Sequence, residues 1–178
     1  MAYYRGRVFR HPDYIKYLED VFPEVATYTK AFVSFWKEGF HPLIGKGGVM
    51  TYPDIYSEQA IGRVHLEPPV KPLEPYSSTA ECWMRWASQD ETLFVFPTSN
   101  KFLMFCVDEN REACLLGYLD GDDRDSHKVI KDPDFRKNMK TRADSFFRSM
   151  GTEPMSPELY NGERLFGDEW INDHGDDR

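Results

Sequence analysis

Apolar residues recur along this chain at two periods, and the change of period divides it. Val25, Tyr28, Phe32, Phe35 and Trp36 fall three or four apart, with Glu24, Thr27, Lys30 and Lys37 elsewhere on the wheel. That spacing predicts a helix started by Phe22-Pro23-Glu24 and stopped at Gly39, its apolar face turned to a core. His11-Pro12-Asp13 predicts a shorter helix before it, running to Val21, so the N-terminal segment reads as helical. From residue 93 the pattern becomes near-continuous: 93–96, 102–107 and 113–119 are apolar runs joined by short polar connections, which predicts an antiparallel meander. Such runs suit central strands covered by helices. Helical spacing returns after Asp132-Pro133, where Phe135, Met139, Ala143, Phe146 and Met150 form one stripe.

Between these blocks, residues 40–76 are crowded with glycine and proline. One segment there, 61–67, alternates: Arg63, His65 and Glu67 share one face, Val64 and Leu66 the other. It predicts a strand ended by Pro68 and Pro69, and residues 81–87 predict another carrying Trp83 and Arg85. Gly45-Lys46-Gly47-Gly48 lacks the spacing and the Lys-Ser/Thr ending of a Walker loop, so no nucleotide site is expected there.

With 178 residues, 40% apolar and 15% aromatic, the chain can bury one core. The expected organisation is a single domain over 1–150 and an acidic tail over 151–178 whose Leu159, Tyr160, Leu165, Phe166, Trp170 and Ile171 either fold back or dock a partner. The expected class is α+β: an antiparallel or mixed sheet of four to five strands, packed by N-terminal helices and a C-terminal amphipathic helix. The sequence contains no eighteen-residue apolar run and no signal-like N-terminus, which points to a soluble, cytoplasmic protein. Cys82, Cys106 and Cys114 lack ligand spacing, so neither a disulfide framework nor zinc is expected. Asp120, Asp122, Asp123 and Asp125 miss the glycine and glutamate positions of an EF-hand, and no metal or other cofactor is expected.

Charge changes the picture by segment. The chain carries −8, of which 151–178 holds −6 (eight acids, two bases), while 128–148 holds +4 (seven bases, three acids). A basic stripe within an acidic protein can still attract phosphates, because local potential steers encounter. A histidine after the last strand, facing that stripe, could handle a phosphodiester. The candidates for proton transfer are His127 and His65, with Arg63 and Lys128 to stabilise charge on phosphate. Arg136, Lys137 and Lys140 would contact the RNA backbone, and Tyr118 would stack on a base. Each has a plainer alternative. Arg63 and His65 suit the wet face of a half-buried strand, and His127 suits a loop histidine pairing with Asp123 or Asp125. Tyr118 suits core packing, and the cations suit a solvated helix face.

In order and spacing the chain also resembles the YafO family of toxins from bacterial toxin–antitoxin systems, over roughly 32–147. Lys37-Glu38-Gly39 and Pro42-Leu43-Ile44-Gly45-Lys46 resemble one family stretch, and Arg63-Val64-His65-Leu66 resembles its first core strand. Thr98-Ser99-Asn100 followed by Leu103-Met104-Phe105-Cys106 is similar to its turn and strand. Leu115, Leu116 and Leu119, then His127 and the Met139/Phe146 helix, complete the match. The resemblance implies a RelE/ParE-like ribonuclease fold that cuts mRNA at the ribosome and is held inactive by a cognate antitoxin. Pro97 stands where an arginine is expected, and the acidic tail is an addition. Both motivate an alternative: a catalytically inactive module, or an acidic inhibitor of antitoxin or immunity type, acting through protein contacts.

Overall fold

The computed structural model describes residues 3–122, 124–160 and 164–172. It is an α+β fold on one five-stranded mixed sheet, β1 (Val8–Arg10), β2 (Ile44–Val49), β3 (Ile61–Leu66), β4 (Phe102–Val107) and β5 (Ala113–Leu119), in the order β1-β5-β4-β3-β2. β1 runs parallel to β5, and every other pair is antiparallel. Helices α1 (Pro12–Val21) and α2 (Val25–Glu38) lie on one face, and α3 (Asp54–Glu58) and α6 (Pro133–Met150) on the other. Two further helices, α4 (Ala80–Ala87) and α5 (Ser126–Val129), frame the end of the sheet near β2 and β4.

The expected helices form where the spacing places them. Val25, Tyr28, Phe32, Phe35 and Trp36 are all buried on α2, which ends at Gly39 in the left-handed conformation with φ 76°. Burying side chains of this size contributes about 1.5–3 kcal/mol each. On α6, Met139, Ala143 and Phe146 are buried, with Phe135 and Met150 packed at the margin. The Asp132 carboxylate caps α6, accepting from the amides of Asp134 and Phe135 at 3.0 Å each. Asp132→Ala is expected to cost about 1 kcal/mol, a drop of roughly 2–4 °C in melting temperature for a domain of this size, measured by circular dichroism.

Three expectations change. Residues 81–87 are not a strand: Thr79 accepts from the Cys82 amide, and Cys82, Trp83 and Trp86 fall on one side of a helix, α4. The indole of Trp86 then donates to the Ile44 carbonyl at 2.8 Å. Residues 93–96 are not a strand either. Phe94 is 93% exposed, and of the run Phe96 alone stacks, edge-on against Trp86. The meander is therefore β3-β4-β5. Third, the sheet's two edges, β1 and β2, come from segments read as helical and as turn-rich. β2 holds three glycines of the predicted loop region and kinks between Ile44 and Gly47.

The described part of the tail is built into the domain. Met155, Tyr160, Leu165 and Trp170 join the core on the α2 face, and Tyr4 bridges to Ile171. Between them sits Arg111, fully buried, donating to the carbonyls of Trp36 (2.9 Å), Leu165 (2.6 Å) and Arg5. Its guanidinium also lies over the rings of Trp36, Tyr4 and Phe166 at 4.3–5.3 Å. Burial pushes this group down to about 9, and the carbonyls and ring faces supply what water would have given its charge.

Candidate functional site

β3 lies beside β4, and in an antiparallel pair facing residues project to the same side. Arg63 faces Met104 and His65 faces Phe102, so both side chains emerge on the α6 side of the sheet, beyond the end of α6. The Phe102 ring is the floor. Arg63 Cζ lies 4.6 Å above it, His65 meets it edge-on at 4.7 Å, and His127 meets it edge-on at 4.9 Å. The two imidazoles are 5.8 Å apart between centroids. All three line one cleft of about 1050 Å³, walled by Lys46-Gly47-Gly48 of β2, by Ser99-Asn100-Lys101, and by Asp125 and Lys131 beside α5.

His65 is not on a wet face. It is 3% exposed, and its Nδ1 lies 2.9 Å from the Ser99 amide nitrogen and 2.8 Å from the Ser99 carbonyl oxygen. Either the amide donates to Nδ1 or Nδ1–H donates to the carbonyl, so the Ser99 backbone fixes the ring whichever nitrogen carries its proton. Burial pushes His65 down to about 3, with Arg63, His127 and Lys46 adding repulsion. It is neutral over the whole physiological range.

His127 is half exposed, and its Nδ1 lies 3.5 Å from the Asp125 carboxylate, which also accepts from the His127 amide at 3.0 Å. Asp125 favours a proton on Nδ1 and leaves the Nε2 lone pair as the base. Partial burial and the charge of Arg63 lower its pKa below the ordinary histidine value, against the pull of Asp125. Asp123, the other carboxylate expected near it, lies outside the described residues.

Arg63 carries the most informative atom. Its Nη1 is buried and has no hydrogen-bond partner among the described residues, while burial lowers the pKa of the guanidinium. A desolvated cation with an unused donor is costly unless an anion meets it.

The other nominated residues divide. Tyr118 does not join the cleft: it is 7% exposed on the opposite face, packed on Phe22 and Tyr28, and its hydroxyl donates to Glu24 at 3.0 Å. Lys128 is exposed beside Asp125, Lys137 is exposed on α6, Arg136 is half-buried near Tyr56, and Lys140 pairs with Asp144 at 2.6 Å. None of these four lines the cleft. The cations that do, besides Arg63, are Lys46, Lys101 and Lys131. Lys101 is 4% exposed, with Nζ 3.4 Å from both Asp122 and the Tyr118 hydroxyl. Among the described residues, no group of three His, Cys, Asp or Glu side chains is placed to hold a metal ion.

No protein-family profile, no curated protein and no solved structure matches this chain. No described helix is long and apolar enough to cross a membrane.

Proposed function

We propose that this protein is an endoribonuclease of RelE/ParE-like fold, the toxin of a type II toxin–antitoxin pair, which cuts mRNA on the ribosome and is restrained by a cognate antitoxin. The observation that carries the chemistry is the Arg63 guanidinium, whose buried Nη1 has no partner among the described residues, beside two imidazoles in a cleft large enough to admit a nucleotide. The YafO-like order of motifs supplies the biological setting.

In this reading His127 Nε2 takes the proton of the 2′-hydroxyl as its oxygen bonds to phosphorus. The bond from phosphorus to the 5′-oxygen breaks, and that oxygen takes a proton from water in the open cleft while protonated His127 returns its proton to the resulting hydroxide, leaving a 2′,3′-cyclic phosphate and a 5′-hydroxyl. Arg63 meets the charge that builds on the phosphoryl oxygens, and His65 joins it in the tautomer that keeps its proton on Nε2. His127 is then the single titrating base.

Controlled expression in a bacterium tests the whole reading: growth should stop, and transcripts should carry new 5′-hydroxyl ends. Uncut transcripts and normal growth would end it. The pH profile tests the assignment. Cleavage needs neutral His127, so the rate should rise with pH through a midpoint below 6.5 and then hold level to pH 8. His65, at about 3, should add no second limb in that range. A bell centred near neutrality would contradict this division of labour.

A further inference from the structure

Asp125, which orients His127, is itself gripped by a side chain from another part of the chain. Asn100 follows Ser99 and precedes β4. Its Nδ2 donates to the Arg124 carbonyl at 3.3 Å and the Gly121 carbonyl at 2.7 Å, and its Oδ1 accepts from the Ser126 amide at 2.8 Å. The Arg124 carbonyl and the Ser126 amide belong to the two peptide groups that flank Asp125. A carboxamide offers the same donor and acceptor pair as a peptide, so Asn100 pairs with the backbone around Asp125 as a neighbouring strand would. Gly121, with φ 74°, lets the loop seat there: a Cβ at this position would collide with the Asn100 carbonyl.

We propose that Asn100 is the positioning residue for His127, so that one turn sets both imidazoles: Ser99 through its backbone holds His65, and Asn100 through its side chain holds Asp125 and α5. The catalytic consequence rests on the nuclease reading, but the positioning itself does not. Alanine removes all three hydrogen bonds. Aspartate keeps the volume and the acceptor for Ser126 and loses both donors, so neither variant can hold the Arg124 and Gly121 carbonyls.

The test is NMR of the histidine rings in the full chain, with Asn100→Ala and Asn100→Asp. In the parent protein the Phe102 ring lies 4.9 Å from His127, and its ring current should displace the His127 Cε1–H resonance from its free position. In both variants that displacement should collapse for His127 and persist for His65, whose grip comes from the Ser99 backbone. The titration of His127 gives a second readout. The groups facing it are Arg63 and His65 from β3, with Asp125 and Lys131 from its own segment, and the floor is Phe102 from β4. Released from that floor and from Arg63, its midpoint should move up toward 6.5 in Asn100→Ala. Should alanine unfold the domain, the isosteric aspartate decides by ring current alone. A His127 displacement unchanged in the folded variant would overturn the proposal. A displacement lost in a chain that never cuts RNA would leave the positioning intact and remove the nuclease reading instead.

Discussion

Arg63→Met and His127→Gln are each expected to lower RNA cleavage by about 10²–10⁴-fold, the range for loss of a transition-state donor or a positioned base. Their effects on stability should differ from those of ordinary core changes. Arg63 is a part-buried cation with an idle donor, so methionine removes a desolvation cost and keeps the contact with Phe102. Thermal unfolding of Arg63→Met should therefore match the parent or exceed it while activity disappears. A large loss of stability would show Arg63 to be a strut. Lys137→Ala and Lys140→Ala, outside the cleft, should weaken binding through the salt-dependent backbone term and leave the rate of the bound substrate unchanged.

Arg111 gives the opposite result. Arg111→Ala is expected to cost about 4 kcal/mol, because it leaves three carbonyls short of a donor and empties a cage of three rings. For a domain of this size that is a fall of roughly 8–16 °C in melting temperature. Arg111→Lys should rescue little, since one ammonium on a flexible stem cannot reproduce a planar fork aimed at three carbonyls. A melting temperature within a few degrees of the parent would show that the tail and α2 hold together without it. A buried and a half-buried arginine thus differ in kind: Arg111 finds three carbonyl acceptors in the protein, and among the described residues Arg63 leaves one donor idle.

The contrast explains what the sequence could reveal. Apolar spacing exposed α2, α6 and the strands β4 and β5, because each buries one stripe or both faces, while alternation marked β3, the His11-Pro12-Asp13 start marked α1, and the run at 93–96 wrongly opened the meander that begins at β3. It also put Arg63 and His65 on one face, and His127 close behind β5. It misplaced Tyr118 for an identifiable reason. β5 pairs Leu115 with Phe105 but Gly117 with Met104, so Leu116 is an extra residue and the alternation reverses after it. Strict period two would send Tyr118 to the cleft side, and the bulge sends it to Glu24. α4 was missed because Trp83 and Trp86 look strand-like, while the Thr79 cap leaves little trace in composition. Phe102 and Asn100 read as core and turn, and nothing local marks one as a floor for three side chains or the other as a clamp on Asp125. Lys46 was visible only as part of a glycine-rich run.

Residues 3–5 hydrogen-bond to 170–172, and Arg111 finds one of its three acceptors at Leu165. Every residue that lines the cleft is synthesised before Asp132. The layer behind the sheet, however, closes only with residues made some forty positions later. A nascent chain can thus carry all of its cleft side chains while its guanidinium cage still lacks a wall, and the α2 face is complete only once Trp170 is free to pack.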